Sequence, residues 1–373
     1  MDLKSILRKY DLKKLTLTVL GSHSALDLCS GAKKQGFKTL VVCQKGREKV
    51  YENYYLKKAG LGCVDEVLVL DSFKDILKED IQEKLREKNA LFFPHRSFQV
   101  YLDFDYETIE KKFEVPLFGN RYLLKIEEKG QHPNQYDLLL AANIKIPRFY
   151  KKPEDIDRPV MVKVLEKERG FERAFFLASN LQDFRQKSEK LISENVFTKE
   201  ALDKAVIEEF IAGVQVNLNY FYSPIHKRLE FMGSDTRRQT NIEGLSHLPS
   251  PFREDAEKNF HLKFEEAGHI AATLLESMLA DVFEIGERFV ETTKKFSPPG
   301  VIGPFALQTF VVPGPPKKSF VVFDVSCRLP GSPGIVATPY TGYLWGKPVS
   351  TGERCAMEVK RALEKNALPS VLT

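Results

Sequence analysis

Short apolar runs alternate with helix-like stretches over the first third of the chain, and this alternation limits the folds available to it. The runs LTLTVL (15–20), TLVVC (39–43), CVDEVLVL (63–70) and ALFFP (90–94) have the length and apolar content of buried strands. Helix-like segments separate them, and strand–helix–strand repeats of this kind are typical of a parallel sheet covered by helices. We therefore predict a small doubly wound α/β domain over residues 1–120.

The composition argues against several classes of protein. A chain of 373 residues exceeds one typical core, so two or three domains are expected. Its 56 basic and 51 acidic residues give a mixed surface with a net charge of +5, which does not favour nucleic acid as a partner. No apolar run approaches the roughly 20 residues of a membrane span. Five cysteines without CxxC spacing argue against disulfides or zinc, so a cytoplasmic location is expected.

The remainder of the chain, residues 123–373, has the pattern of an α+β region. Residues 158–180 predict a β-hairpin with a charged turn, and residues 301–327 predict a second strand pair split by a Pro- and Gly-rich turn. The spacing of apolar residues predicts a long amphipathic helix over 265–295. Residues 234–244, SDTRRQTNIEG, have the composition of a polar loop.

The second strand pair carries side chains suited to a metal ion. Gln308 lies on its first strand and Asp324 on its second, so antiparallel pairing could bring them side by side. One carboxylate and one amide oxygen can hold Mg²⁺ (or Mn²⁺), because such an ion needs few protein ligands. Arg328 follows four residues after Asp324 and could bind phosphate or carboxylate oxygens. A buried hairpin with a capped end fits the same spacing, and spacing alone favours that alternative.

Two turns of the predicted α/β domain carry hydroxyl and imidazole groups. GSHSALD, residues 21–27, places His23 and Ser24 where the first strand meets a helix, and a helix N-terminus with serine hydroxyls can bind an anion. His23 could also position or deprotonate a substrate amine. FFPHRSF, residues 92–98, brings Ser97 to the same edge of the sheet, since parallel strands end at one crevice. Serine and histidine that simply cap a helix would also explain the first turn, and an ordinary surface loop would explain the second.

Further candidates lie at the domain junction and in the α+β region. Lys125 is a cation at the junction, and Lys163 is a lone lysine in an apolar strand that could reach a nucleotide phosphate. The segment VIEEFI could offer backbone groups to an adenine edge and a carboxylate to a ribose. The polar loop has arginines and an asparagine that suit phosphate or carboxylate, although a solvated loop gives the same composition. The candidates from these two segments are Glu208, Glu209, Phe210, Ile211, Arg237 and Asn241.

In their order along the chain, these segments resemble one family, the archaeal PurP-type FAICAR synthetases of the ATP-grasp superfamily. The similarity extends from residue 20 to residue 328. No single segment is decisive, but eight in the right order are fairly specific. The segments are LGSHSALD, FPHRSF, VPLFGNR, VIEEFIAG, NYFYSP, TNIEGL, PPGVIGPFALQ and VVFDVSCR.

The resemblance implies both a fold and an activity. The fold would be a Rossmann-like, pre-ATP-grasp domain over 1–122 and an ATP-grasp domain over 123–373. The latter would divide into a nucleotide-clamping subdomain at about 150–215 and a metal and substrate subdomain at about 216–373. Family members use ATP to activate formate, through a formyl phosphate, and formylate AICAR (an aminoimidazole carboxamide ribonucleotide). The products are FAICAR, ADP and phosphate, in purine (IMP) biosynthesis. A homo-oligomer is also expected by resemblance.

The resemblance, together with the residue patterns, distributes the candidates over the site. The expected sets are His23, Ser24, Ser97, Arg237 and Asn241 for AICAR; Lys125, Lys163, Glu208, Glu209, Phe210 and Ile211 for ATP; Gln308 and Asp324 for Mg²⁺; and His23 and Arg328 for catalysis.

Three features depart from the family pattern. The hairpin at 165–175 has one glycine and alternating charges, where the family has a glycine-rich loop. Asp324 stands where glutamate is usual, and LPGSPG follows Arg328. These departures leave two alternatives open. One is a ligase on the same scaffold that uses another acid or amine. The other is a non-catalytic nucleotide-binding or regulatory paralogue, which the charged hairpin favours.

Overall fold

Parallel strands form the first sheet of the protein. The structure is a computed structural model that describes residues 2–164, 175–240, 242–259 and 265–373. The strands of this sheet are β1 (Thr16–Leu20), β2 (Lys38–Gln44), β3 (Glu66–Leu70) and β4 (Ala90–Phe92). They lie in the order β3-β2-β1-β4, and all neighbouring pairs are parallel. Every residue of β1 is buried, as expected for a strand with helices on both faces. This sheet agrees with the predicted Rossmann-like fold.

The second sheet is small and antiparallel. Its strands are β5 (Phe149–Tyr150), β6 (Val160–Lys163), β7 (Phe175–Ala178) and β8 (Val206–Glu209), in the order β5-β8-β6-β7. The pairing of β6 with β7 is antiparallel, which confirms the predicted hairpin at its two strands. The glycine-poor turn between them, residues 165–174, lies outside the described residues.

The third sheet is antiparallel and has two unlike faces. Its strands are β9 (Val214–Ser223), β10 (Arg228–Gln239), β11 (Glu266–Ala272), β12 (Gly303–Val312) and β13 (Ser319–Ser326). They lie in the order β11-β10-β9-β12-β13. Leu218 and Tyr220 of β9 belong to an apolar cluster that also contains Val282 and Phe289, which come from a long helix covering this face. The opposite face carries polar side chains.

The helices cover the sheets and connect them. Within the described ranges, every helix is too short or too polar to cross a lipid bilayer. A 3₁₀ helix at Arg121–Glu127 links the first sheet to the rest of the chain. The α-helices are α1 (Leu3–Arg8), α2 (Ala25–Lys34), α3 (Lys49–Asn53), α4 (Glu79–Glu87), α5 (Arg96–Tyr101), α6 (Tyr106–Lys111), α7 (Gln135–Ala141), α8 (Leu181–Ser193), α9 (Lys199–Asp203), α10 (Ile242–Ser246), α11 (Ser250–Asn259), α12 (Leu279–Phe296), α13 (Tyr340–Trp345) and α14 (Thr351–Glu364).

Helix α14, near the C-terminus, packs directly on α2 of the first domain. The two helices approach so closely that a Cβ on Gly31 would lie 2.2 Å from the Glu353 nitrogen. A Cβ on Gly352 would lie 2.3 Å from the Asp27 carbonyl oxygen. Glycine is therefore required on both helices, since any side chain would force the backbones apart. The contact holds the end of the chain against the Rossmann-like domain.

Two sequence-based assignments are wrong. The helix expected over residues 265–295 begins only at Leu279, because Glu266–Ala272 pairs with β10 as strand β11. The polar loop expected at 234–244 is mostly strand, because β10 continues through Gln239. In both cases long-range pairing across the sheet overrides the local pattern.

A buried ion-pair cluster ties α14 to the third sheet. The Arg354 guanidinium donates to both carboxylate oxygens of Glu230 on β10, at 2.7 Å (Nε) and 3.0 Å (Nη2), and to Glu358 Oε2 at 2.8 Å. Glu358 also accepts from Ser223 Oγ at 2.7 Å. The three charged side chains are at most 1% exposed, so each depends on its partners for compensation.

Replacing the central arginine of this cluster should destabilise the fold strongly. Arg354→Leu removes the buried cation that Glu230 and Glu358 share and leaves Glu230 only the partly exposed Arg228, which typically costs about 3–5 kcal/mol of unfolding free energy. Urea denaturation followed by circular dichroism measures the change. Arg361→Leu is the control, because Arg361 lies on the same helix with its side chain 52% exposed, and it should change stability by less than about 1 kcal/mol. Equal effects of the two substitutions would contradict this account.

Candidate active site

A row of polar side chains crosses one face of the third sheet. Asp235 on β10 lies opposite Asn217 on β9, and Asn217 lies opposite Gln308 on β12. Gln308 in turn lies opposite Asp324 on β13. Antiparallel register therefore brings together residues that are more than 100 positions apart in the sequence. We call these four residues the polar row.

Asp235 is the centre of a hydrogen-bond network on this face. It is fully buried and accepts from Asn217 Nδ2 at 2.9 Å and from Asn219 Nδ2 at 2.6 Å. His269 Nδ1 on β11 forms a short ion pair with the same carboxylate. A carboxylate only accepts hydrogen bonds, so all three neighbours act as donors toward it.

His269 is held as a cation between two acids. Its Nε2 lies 2.7 Å from Glu266 Oε1, and its Nδ1 contacts Asp235. Burial alone would lower the pKa of His269, but the hydrogen bonds to Asp235 and Glu266 outweigh it and raise the pKa to about 9. Burial would raise the pKa of Glu266, but His269 and Arg237 hold that pKa below its ordinary value. Both groups are therefore charged at neutral pH.

Three residues of the polar row, Asn217, Gln308 and Asp324, line a first cavity of about 290 Å³. Loops of the Rossmann-like domain and the segment after β13 close it from the other side. Its lining is mostly charged and amide side chains: His23, Arg96, Glu127, Asn217, Asn219, Arg237, Glu266, His269, Gln308, Asp324, Ser326, Arg328 and Ser332, with Ala306, Val325, Pro330 and Gly331.

His23 enters the first cavity from the turn after β1. Its φ of 42° is in the left-handed region, which is uncommon for a residue with a Cβ. Its ring stacks on that of His95, with centroids 5.4 Å apart. Burial and then the nearby Arg328 charge lower the pKa of His23, so its imidazole is neutral at pH 7 and can accept a proton.

His95, whose ring stacks on that of His23, has a defined tautomer. Its Nε2 donates to the Leu20 carbonyl oxygen at 3.0 Å, while its Nδ1 accepts from the Ser97 backbone nitrogen at 3.2 Å. Burial lowers the pKa of His95 to about 3, so the ring remains neutral. The ring therefore serves as a rigid, uncharged platform.

The serine hydroxyls expected to bind substrate make contacts within the protein. Ser97 Oγ donates to Ser22 Oγ at 2.9 Å, and Ser24 Oγ donates to the Pro330 carbonyl oxygen at 2.5 Å. The second bond joins the Rossmann-like domain to the segment after β13. Neither Ser24 nor Ser97 is among the residues that line the first cavity in the described part of the chain.

Two arginines converge on a buried carboxylate at the edge of the first cavity. Glu127 Oε2 lies 3.3 Å from Arg328 Nε and 3.4 Å from Arg96 Nη1, and Glu127 Oε1 accepts from the Cys327 nitrogen at 2.8 Å. Burial raises the pKa of Glu127 although both arginines oppose the shift. Glu127 thereby holds Arg328 in the lining of the first cavity, where its guanidinium could bind an anion.

Gln308 and Asp324 fit a hard divalent cation. Gln308 Nε2 donates to Asp324 Oδ2 at 2.7 Å, and Gln308 Oε1 is buried with no hydrogen-bond partner among the described residues. Burial would raise the pKa of Asp324, but Lys129 and Arg237 outweigh it and lower the pKa. Within the described ranges, no cluster of three or more His, Cys, Asp or Glu could hold a metal ion. The pair would therefore share a cation with oxygens of a substrate or water, as Mg²⁺ commonly requires.

A second cavity of about 530 Å³ lies between the second and third sheets. Lys163 on β6 forms a short ion pair with Glu208 on β8 inside it. Burial lowers the pKa of Lys163, although Glu208 opposes the shift. The lining is mainly apolar, with a few polar groups at one end: Pro147, Met161, Lys163, Glu208, Glu209, Phe210, Ile211, Ala212, Gly213, Val214, Phe310, Val311, Pro313 and Phe323.

The structure gathers most of the residues proposed from the sequence. Lys125 lies apart from both cavities, with its ammonium 2.9 Å from Glu110 Oε1. Asn241 lies outside the described residues. The candidates that line the first cavity are His23, Arg237, Gln308, Asp324 and Arg328, and those that line the second are Lys163, Glu208, Glu209, Phe210 and Ile211.

Sequence reasoning missed several residues of the first cavity. Asn217 and Asn219 alternate with buried apolar residues in VNLN, and this period-2 pattern of a polar residue within a strand was the available signal. His269 had no such signal, because its segment was assigned to a helix. Arg96 and Glu127 could be found only from the tertiary structure.

Two family models match most of the chain. The model described as "Domain of unknown function (DUF1297)" matches residues 183–373, and "Protein of unknown function (DUF1246)" matches residues 17–150. A protein of Methanopyrus kandleri named 5-formaminoimidazole-4-carboxamide-1-(beta)-D-ribofuranosyl 5'-monophosphate synthetase is 38% identical over 100% of this chain and 99% of its own length. The chain belongs to the PurP (FAICAR synthetase) family. A PurP relative from Methanocaldococcus jannaschii, with the same name, is 35% identical over 100% of this chain and 99% of its own.

Solved structures agree with this PurP assignment. The crystal structure of an IMP biosynthesis protein PurP from Thermococcus kodakaraensis has a TM-score of 0.71 and 29% identity, covering 96% of this chain and 100% of its own. N5-carboxyaminoimidazole synthetase from Staphylococcus aureus, complexed with ADP, has a TM-score of 0.58 and 13% identity, covering 94% and 79%. The predicted family and the ATP-grasp fold class are confirmed, and the curated relatives are named as synthetases, which agrees with the predicted ligase class.

The charged state of His269 should make stability depend on pH. The pKa rises from 6.5 in the unfolded chain to about 9 in the folded one, so protonated His269 favours folding. This contribution is fully present below about pH 6.5 and is lost as pH rises through about 9, with a size on the order of 2–3 kcal/mol. The measurement is urea denaturation of wild type and His269→Gln between pH 6 and 9.5.

The difference in unfolding free energy between the two proteins should shrink over this interval. Ser234→Ala is the control, because it replaces an uncharged side chain on the neighbouring strand β10, and its difference from wild type should stay constant. A difference for His269→Gln that is independent of pH would show that His269 is not protonated in the folded state.

Proposed function

We propose that the chain catalyses the ATP- and formate-dependent formylation of AICAR to FAICAR. A formate oxygen attacks the γ-phosphorus of ATP, the bond from that phosphorus to the β–γ bridging oxygen breaks, and ADP leaves. The amino nitrogen of AICAR then attacks the formyl carbon of the formyl phosphate, phosphate departs, and the nitrogen loses a proton. The names of the full-length relatives support this reaction.

The observation that carries the proposal is the adjacency of the two cavities along β12 and β13. Gln308 and Asp324 line the first cavity, whereas Phe310 and Phe323, one or two residues away on the same strands, line the second. The largely apolar second cavity suits a nucleoside, and the charged first cavity suits phosphates and a polar acceptor. A nucleotide in the second cavity would direct its phosphates toward Gln308 and Asp324.

Cationic side chains of the first cavity would bind the anionic groups of the reaction. Arg328 and Arg96 are fixed by Glu127, and Arg237 is fixed by Glu266, so their remaining donors are oriented before substrate binds. Preorganised donors stabilise developing negative charge without reorganisation in the transition state. Neutral His23 would accept the proton that the amine loses on formylation.

Gln308 and Asp324 would hold Mg²⁺ or Mn²⁺ through their side-chain oxygens. A divalent cation supplies charge neutralisation of the transferred phosphoryl oxygens in reactions of this type. The chain itself also neutralises charge, since Lys129 Nζ is 3.7 Å from Asp324 Oδ1 and donates to the Phe323 carbonyl oxygen at 3.1 Å. Lys129 therefore contacts one lining residue of each cavity, Asp324 of the first and Phe323 of the second.

Steady-state assays of ADP release test the proposed reaction. Release should require both formate and AICAR, and Asp324→Asn should lower kcat/KM by about 100-fold or more because the site loses an anionic oxygen facing the cation. Asp103→Asn, at a side chain 69% exposed, is the control and should change it less than twofold. Turnover only with another acid or amine would favour the diverged ligase, and nucleotide binding without turnover would favour the non-catalytic paralogue.

Two lysines test where the nucleotide binds. Lys163→Met should weaken ATP binding by about tenfold or more, because Lys163 lies in the second cavity and can reach a phosphate as a point charge. Lys125→Met should leave affinity unchanged within about twofold, since Lys125 pairs with Glu110 outside both cavities. Isothermal titration calorimetry with ATP measures both. A larger loss in Lys125→Met would place the phosphates elsewhere and restore the sequence-based role of that residue.

A further inference from the structure

Two buried asparagines of β9 lie on the cavity face of the third sheet. In the segment VNLN, Leu218 faces the apolar cluster under α12, whereas Asn217 and Asn219 face the first cavity. The two asparagines are 4% and 1% exposed. Asparagine is poorly suited to a buried strand, because both ends of its amide need hydrogen-bond partners. Their position therefore calls for a reason beyond packing.

Asp235 fixes the orientation of both amides. An amide can usually be turned by half a rotation without a visible change in shape, so its oxygen and nitrogen must be assigned from their partners. Here the partner is a carboxylate, which accepts but does not donate, so each asparagine must present its Nδ2 to Asp235. Asn219 Nδ2 also faces the Gly233 carbonyl oxygen at 3.4 Å, which excludes the reverse orientation equally.

The two amide oxygens consequently remain as acceptors without donors. Asn217 Oδ1 and Asn219 Oδ1 are both buried, and neither has a hydrogen-bond partner among the described residues. A buried acceptor without a partner costs free energy, on the order of 1–3 kcal/mol each. The two oxygens belong to residues that lie two apart on one strand, and both residues line the first cavity.

We propose that Asn217 and Asn219 are specificity-determining residues that accept hydrogen bonds from the N–H groups of the aminoimidazole carboxamide base. This inference rests on the proposed function, because AICAR offers two such groups, the 5-amino group and the carboxamide NH₂, on adjacent ring carbons. Arginines suit the phosphate of the substrate, whereas only acceptors suit its amino groups. A ligand without these N–H groups would leave both oxygens unpaired, which is a strong basis for rejection.

The assignment also gives Asp235 and His269 an indirect role. Asp235 accepts a hydrogen bond from each amide and so orients both. His269 forms an ion pair with the same carboxylate and holds it in place. They are positioning residues in this scheme, since neither needs to touch the base. The network fixes the oxygens before substrate arrives, which reduces the ordering cost of binding.

A thermodynamic cycle between protein and ligand tests the proposal. Calorimetry measures the affinity of wild type, Asn217→Leu and Asn219→Leu for AICAR, for its analogue without the 5-amino group, for its analogue without the carboxamide, and for ribose 5-phosphate. Each variant should bind AICAR about tenfold or more weakly than wild type does. With the analogue that lacks the N–H group bound by the replaced asparagine, the difference in affinity between variant and wild type should fall below about threefold. Ribose 5-phosphate, which has no base, should bind each variant as it binds wild type, within about twofold.

Controls separate recognition from a general disturbance of the sheet. Ser234→Ala removes a buried hydroxyl of β10 that donates to the Ala272 carbonyl oxygen at 2.8 Å outside the cavity lining, and it should leave all four affinities within about twofold. Equal losses for AICAR and ribose 5-phosphate in the asparagine variants would mean a structural role and overturn the proposal. Unchanged AICAR affinity would overturn it as well.

Two further outcomes are also decisive. If the asparagine variants bind AICAR normally but need more Mg²⁺ to bind ATP, the amide oxygens serve the cation, and the proposal fails while the proposed function stands. If wild-type protein binds no AICAR at all, the proposed function and this inference fail together. The wild-type titration thus distinguishes the two failures.

Discussion

The carboxylate of Asp235 is the interaction on which the arrangement of the first cavity depends. It is fully buried in the middle of an antiparallel sheet, a position that is tolerated only because three donors surround it. Those donors come from two neighbouring strands, β9 and β11, so one charge sets the rotamers of side chains on both sides of β10. The energetic requirement to compensate this charge and the geometric requirement to present fixed polar groups are met by the same contacts. A neutral residue at this position would remove both constraints together.

The third sheet serves two purposes because its two faces are chemically different. The face under α12 is a packed apolar core, and the other face carries the polar row. Strand geometry alternates side chains between the faces, so a slip of one residue in register would bury the polar row and expose the core. The apolar packing therefore protects the register of the site. Helix α14 joins the Rossmann-like domain to this frame, since it packs on α2 and is joined to β10 through Arg354 and Glu230. The turn that carries His23 is thereby held opposite the sheet.

The sequence predicted the Rossmann-like sheet well because each strand and helix there is a continuous local pattern. The pairing of Gln308 with Asp324 was also within reach, since a short turn separates their strands. The partners of Asp235 were missed for two reasons. Only residues 224–227 separate β9 from β10, but Asp235 was assigned to a polar loop and not to a strand that pairs with Asn217. His269 follows a long connection, residues 240–265, whose course local pattern does not specify. The segment around His269 has a helical spacing of apolar residues, and only its ladder with β10 makes it a strand. Lys125 shows the opposite kind of error, a residue proposed from the sequence that the structure places elsewhere. Its charge suits a nucleotide phosphate, but its ammonium pairs with Glu110 outside both cavities.

The charge balance of the first cavity explains why a divalent cation would be needed for the proposed reaction. Arg96, Arg237, Arg328 and protonated His269 are its cations, and Glu127, Glu266, Asp324 and the adjacent Asp235 oppose them. Opposing charges nearly cancel before any substrate enters, and each arginine is already paired. The proposed substrates, a triphosphate, a phosphate monoester and formate, would bring several negative charges into this space. Side chains alone cannot offset them without breaking the pairs that hold the arginines in place, and a buried pair that loses one partner is costly. A cation held by Gln308 and Asp324 would supply the missing charge and leave the arginine pairs intact.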